Sequence, residues 1–218
     1  MVIQEQTYNN HEAIKTGTTT LGIVCRDGVV IAADRRATAG HFISNKKTQK
    51  VFPVADNVAI TIAGLVSDAQ LLSKVFRAEL KLKAIRAKHT VTAKEAANLL
   101  AGMTYENIRR MSMVPSIVGF LLAANDSDGS HLYEIGVDGS IFERDDFCAD
   151  GSGSVFVYGV LESQYKKDLV VSEGIELAKK SFKASISRDS ASGDGFDIFV
   201  VDKSGVRKVH SQELSLKE

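Results

Sequence analysis

The order in which two periodicities alternate along the chain narrows the fold more than any other feature. Residues 18–25 (TTTLGIVC) and 28–34 (GVVIAAD) are rich in β-branched residues, and Arg26-Asp27-Gly28 joins them as a hairpin. A second strand pair runs from HFISNKKTQKVFPV to NVAITIAG, punctuated by Pro53 and Asp56-Asn57. Helical spacing then takes over. Ser67-Asp68-Ala69-Gln70 reads as a capping box ahead of Leu72, Val75, Phe76 and Leu80. Thr92-Ala93-Lys94-Glu95 reads as a second box, opening a helix toward Arg110. After Pro115 strands return as SIVGFLLAAND, HLYEIGV and SIFERDD, with turns at Asp128-Gly129 and Asp138-Gly139. GSGSVF predicts a tight turn before a helix, and SEGIELAKKSFKASISRD a helix capped by Ser172. FDIFVVD and GVRKV close the chain as a hairpin around Lys203-Ser204-Gly205.

Hairpins dominate, and no regular strand–helix–strand crossover recurs. The expected architecture is therefore α+β, with antiparallel sheets and helices segregated to the outer faces. A chain of 218 residues with 44% hydrophobic residues can bury one sizeable core. Lys+Arg and Asp+Glu stand at 27 each, which gives no electrostatic footprint for nucleic acid. No apolar run reaches the ~20 residues a membrane helix needs. The N-terminal stretch MVIQEQTYNNHEAIK lacks the apolar core of a secretion signal. Cys25 and Cys148 are too few and too far apart for a disulfide framework, which points to a reducing compartment such as the cytoplasm. The five histidines stand alone, without zinc-ligand spacing, and no G-x-S-x-G elbow occurs.

The run Gly17-Thr18-Thr19-Thr20 follows a polar segment without period. A plain strand start would explain it. The other reading is cleavage of the Gly17–Thr18 bond, after which Thr18 would carry a hydroxyl and a free α-amine together. Such an amine titrates at about 7.7–8.0 and can take the hydroxyl proton itself. While the leader is attached, that nitrogen is an amide and the nucleophile is off. Asp34 ends the return strand. If Arg26-Asp27-Gly28 forms a type I turn with a G1 bulge, Asp34 faces Thr20 and shares a side with Thr18, which is the register expected here. An aspartate buried at that strand end would need a cation or hydrogen bonds.

Seven segments between Gly17 and Asp197 together resemble the archaeal-type 20S proteasome β subunits, which are N-terminal nucleophile hydrolases. They are GTTTLGIV, AADRRATAG, KKTQKVF, ITIAGLVSDAQ, RAELKL, GSGSVFVYGVLESQY and RDSASGDGFD. The resemblance implies a four-layer αββα sandwich, with residues 1–17 a propeptide removed by autolysis and 18–218 a single catalytic domain. It implies Thr18 as nucleophile, Lys50 beside its hydroxyl with Asp34 as counter-ion, and Gly64 as backbone donor to the oxyanion. Ser152, Asp189 and Ser192 would hold the new amine and its proton. Ala37, Ile62 and Val66 would line an apolar substrate pocket. No cofactor and no metal are implied. The implied partners are an α ring, other β subunits in a heptameric ring, unfolded polypeptides and, indirectly, an ATP-dependent unfoldase. Val155 departs from the proline that many similar subunits carry after GSGS. A non-catalytic ring subunit that keeps its leader is the alternative; a small-molecule amidase fits the ring-type motifs less well.

Overall fold

A computed structural model describes residues 17–113 and 116–213. The leader up to residue 16, and Pro115 as a boundary, lie outside the described residues. The chain opens with six strands: β1 (Thr20–Cys25), β2 (Gly28–Asp34), β3 (Ala37–Ala39), β4 (Phe42–Asn45), β5 (Val51–Ala55) and β6 (Val58–Gly64). Helices α1 (Val66–Ala87) and α2 (Ala93–Arg109) follow. Four more strands are β7 (Val118–Asp126), β8 (Gly129–Ile135), β9 (Ile141–Arg144) and β10 (Phe147–Asp150). Helices α3 (Ser154–Gln164) and α4 (Val171–Arg188) precede the closing hairpin of β11 (Gly195–Asp202) and β12 (Gly205–Glu213).

Two five-stranded sheets form, ordered β10-β1-β2-β11-β12 and β5-β6-β7-β8-β9. β3 pairs with β4 in a two-stranded sheet of its own, so only the end of the HFISNKKTQKVFPV segment, as β5, pairs with β6. Every ladder among the described residues is antiparallel. Alternation along each strand sends its residues to two faces. Val29, Ile31 and Ala33 meet Ala59, Leu121, Ala123 and Leu132 between the sheets. Their neighbours Val30 and Ala32 face outward onto Leu177, Ala178 and Phe182 of α4. On the other side Val58, Ile60 and Ile62 pack on Phe76, Leu80 and Leu100 of α1 and α2. Three apolar cores between four layers make the expected αββα sandwich. The segment FCAD forms β10 and pairs with β1, so the chain changes sheets just after β9. Pro53 lies inside β5 rather than at its end. β5 is an edge strand with a register shift there, where a missing N–H is tolerated.

The Thr92–Glu95 capping box forms as expected. The other two caps do not. α1 begins at Val66, with Leu65 as N-cap and no side-chain cap bond. Leu65 N instead donates to Ile117 O (3.1 Å), tying the entry of α1 to β7's approach, while Asp68 falls in the first turn, where its charge suits the helix dipole. Ser172 lies inside α4. Asp27 of the first hairpin accepts from Val171 N (2.8 Å), and Glu173 accepts from Val170 N (3.1 Å).

The first hairpin also departs from its expected register. Cys25 pairs with Gly28 and Thr20 with Ala33, so Asp34 opposes Thr19 and not Thr20. The loop is Arg26-Asp27, and this ladder has no bulge. The reason is tertiary. Arg26 N donates to Leu169 O (2.8 Å) while Asp27 caps α4, so the turn is shaped by the helix layer it docks on.

Candidate active site

Thr18 sits just before β1, 4% exposed, where the first sheet meets the second. By strand parity Thr19 and Asp34 turn toward α4, and Thr18 turns between the sheets. A long side chain closes that gap. Lys50, immediately before β5 in the second sheet, places Nζ 2.7 Å from Asp34 Oδ1 and 3.0 Å from Thr18 Oγ1. Thr18 Oγ1 in turn donates to Gly17 O at 2.7 Å. The same lysine nitrogen lies 3.4 Å from that carbonyl oxygen.

Lys50 and Asp34 are 3% and 1% exposed, so each charge depends on the other. Burial lowers the Lys50 ammonium from its usual value, and the adjacent Asp34 carboxylate opposes that fall. Burial likewise raises the Asp34 carboxyl, opposed by Lys50 and by backbone donors. Those donors are Thr19 N on Oδ1 (3.0 Å), with Arg36 N (3.0 Å) and Gly193 N (3.1 Å) on Oδ2. Four donors on one carboxylate keep it anionic in a site where an unpaired one would be costly.

A second polar arm reaches Thr18 from the other side. Ser152 Oγ accepts from Thr18 N at 3.3 Å and donates to Asp189 Oδ2 at 2.7 Å. Ser192 Oγ donates to the same oxygen at 2.6 Å. Asp189 ends α4 as its C-cap, and Ala191 N folds back onto its Oδ1 at 3.1 Å. Arg36 clamps the loop that follows, binding Asp194 Oδ2 (2.8 Å) and Ser190 O (2.8 Å).

The structure thus brings six sequence-predicted residues together: Gly17, Thr18, Asp34, Lys50, Ser152 and Asp189, with Ser192 joined through Asp189. Gly64 ends β6, with φ of +131° and a backbone so close to the Ile117 carbonyl that a side chain would collide. Its strand lies next to Lys50, whose carbonyl accepts from Ile62 N at 3.1 Å. Of the expected pocket residues, Ala37 is buried at the start of β3, Ile62 packs into the α1/α2 core, and Val66 opens α1 half-buried. Val155 is 67% exposed in the first turn of α3.

Sequence reasoning missed Thr19, Arg36, Ser185 and Gly193. Thr19 and Gly193 stand inside quoted motifs, but their bonds join residues far apart in sequence. Ser185 reads in sequence as one more polar position of an amphipathic helix.

A family model described as "Proteasome subunit" matches residues 14–201. The chain belongs to the proteasome subunit family, as an archaeal-type β subunit. It is 39% identical over 203 residues to the proteasome subunit beta of Archaeoglobus profundus, covering 93% of each chain. It is 37% identical over 204 residues to that of Ferroglobus placidus, covering 94% of this chain and 95% of the relative. The proteasome subunit beta of Methanosarcina barkeri is 38% identical over 198 residues, covering 91% and 92%. No helix among the described residues of this proteasome β subunit is long and apolar enough to cross a membrane.

Proposed function

We propose that the chain is a catalytic β subunit of a 20S proteasome core particle, a self-processing threonine endopeptidase. The observation that carries this reading is the Thr18 hydroxyl held 3.0 Å from a buried lysine that is itself paired with Asp34. A scaffold subunit has no need of a buried ion pair aimed at a hydroxyl, since such a pair contributes little net stability.

The first reaction is cleavage of the subunit's own chain, with residues 1–17 as the propeptide. Thr18 Oγ1 attacks the Gly17 carbonyl carbon, exchanging the amide for an ester and freeing the amine; water then hydrolyses the ester and releases the leader. Before this step the Thr18 nitrogen has no lone pair to offer. Lys50, held charged by Asp34, steadies the Oγ1 alkoxide as it forms, and the hydroxyl proton passes to the departing Thr18 nitrogen. After the step, the Thr18 amine takes the hydroxyl proton as Oγ1 adds to a substrate carbonyl, then gives it to the leaving amine. Gly64 N–H would stabilise the oxyanion, a contribution of about 10²–10³ in rate for such donors. A protonated Lys50 stabilises the developing alkoxide. Water completes the cycle by hydrolysing the acyl ester. No metal or cofactor enters any step.

The domain from 18 to 218 would act as one unit, with Ala37, Ile62 and Val66 favouring cleavage after hydrophobic residues. Its partners would be an α ring, neighbouring β subunits in a heptamer and unfolded polypeptides fed by an ATP-dependent unfoldase, in the cytoplasm. Intact mass of the assembled wild-type particle is expected to show a chain beginning at Thr18. Thr18→Ala is expected to keep Met1–Gly17 attached and to lose peptide hydrolysis, whereas Thr18→Ser keeps part of both. An active particle whose β chain is uncut from Met1 would overturn the proposal in favour of a scaffold role.

A further inference from the structure

The polar arm does not stop at Ser192. Thr19 Oγ1 lies 2.6 Å from Ser192 Oγ and 2.6 Å from Ser185 Oγ. Thr19 and Ser185 are 0% exposed and Ser192 1%, so bulk water does not supply donors along this chain. Each hydroxyl has a single proton to donate. Ser192 gives its proton to Asp189, so Thr19 must donate to Ser192, and Ser185 must donate to Thr19. Ser152 Oγ lies 3.3 Å from Thr18 O but 2.7 Å from the charged Asp189 oxygen, so its one proton goes to Asp189 and its oxygen accepts from Thr18 N. The direction of every bond is therefore set: Ser185 to Thr19 to Ser192 to Asp189, with Ser152 entering Asp189 from the side of Thr18.

Two further observations mark the closed end as built for this purpose. Ser181, one turn earlier on α4 and equally buried, donates to Leu177 O at 3.0 Å, the common resting place of a helical serine. Ser185 turns instead to Thr19. Gly153, before α3, leaves open the space where these groups meet; a Cβ there would collide with Thr19 Oγ1 and Ser185 Oγ and press on Asp189 Oδ2. Thr19 also joins the two arms of the site, because its backbone N–H donates to Asp34 while its hydroxyl donates to Ser192.

We infer that Ser185 and Thr19 are positioning residues for the threonine peptidase reaction. Ser185 is the terminal donor of the hydroxyl chain that fixes Ser192 on Asp189, and so holds the Asp189 carboxylate where Ser152 meets both it and the Thr18 nitrogen. Without the terminal donor, Thr19 and Ser192 are free to turn, and Asp189 loses the contact that fixes it. This inference rests on the catalytic reading above.

The test uses the full-length chain in its assembled particle, with leader release followed by intact mass and peptide hydrolysis resolved into kcat and KM. Ser185→Ala is expected to lower kcat about fivefold at unchanged KM, the scale of one lost hydrogen bond, and to slow leader release. Thr19→Val, which keeps the shape and removes the hydroxyl, is expected to lower kcat about tenfold or more; Thr19→Ser is expected to restore it to within about twofold. Ser181→Ala, a deletion of the same size in the same helix, is expected to leave kcat unchanged. If Ser185→Ala does not assemble, the Thr19→Val and Thr19→Ser pair decides. Equal kcat in those two variants, or an unchanged kcat in Ser185→Ala, overturns the inference while a dead Thr18→Ala leaves the catalytic reading intact. Full activity in Thr18→Ala overturns the catalytic reading itself.

Discussion

The two helix layers bury different things. Under α1 and α2 the core is apolar: Phe76, Leu80, Leu100, Phe120 and Leu122 fill it, and Ser73 and Thr104 satisfy their hydroxyls on their own helix, at Ala69 O and Leu100 O. Under α3 and α4 an equally apolar centre, built on Leu21, Ile23, Leu161 and Phe182, gives way at one end to Thr19, Asp34, Ser185 and Ser192. A buried polar cluster stabilises a fold only when every member is paired, and one missing member leaves a costly orphan. The first layer therefore tolerates polar residues only where the helix backbone satisfies them. The second also keeps polar residues that depend on partners as far as 173 positions away. The contrast separates a layer that stabilises from a layer that also holds the proposed chemistry.

Substitutions can break or sharpen that contrast. The largest effect is expected for Lys50→Ala. It should block leader release and peptide hydrolysis together, and leave Asp34 buried without its cation at a cost of about 3–5 kcal/mol in denaturant melts of the full-length chain. Adding Asp34→Asn should recover much of that stability and none of the activity. Wild-type turnover in Lys50→Ala would remove the lysine from the chemistry. Next comes Phe76→Ala in the opposite layer, where a fully buried ring is lost. A destabilisation of about 3–5 kcal/mol is expected, with kcat per assembled site nearly unchanged. A fall in kcat as deep as that of Lys50→Ala would show that the layers are not functionally separate. The smallest effect is expected for Thr92→Ala, which removes one side of the α2 capping box. About 1 kcal/mol should be lost in the same melts, with turnover untouched.

How much of this was legible in the sequence depended on the range of the signal. The α2 cap was, because Thr92 and Glu95 bond within one turn. The caps of α1 and α4 were not. Ser67 and Ser172 have suitable chemistry, but the chain entered each helix earlier, held by Ile117 O in one case and Asp27 in the other. The same docking of Asp27 set a two-residue loop and moved Asp34 opposite Thr19, against the expected bulge. Asp34 nevertheless reached Thr18's lysine, because Lys50 is long enough to cross from the second sheet. The register and the meeting of these side chains are separate matters: strand parity governs short side chains, and a lysine can override it.

From the sequence alone came the alternation of strand and helix blocks, the layered α+β class, the family, and the residue types suited to an N-terminal threonine nucleophile, though not the β3-β4 hairpin or β10. Each is carried by local periodicity or by a contiguous motif. Only the tertiary structure decided which hydroxyls share a hydrogen-bond chain, that Thr19 and Ser185 belong to it, and that Gly153 leaves room for them. Hydrogen-bond direction depends on how many donors converge at one point in space, and that count exists only once β1, α4 and the loop after it have packed together.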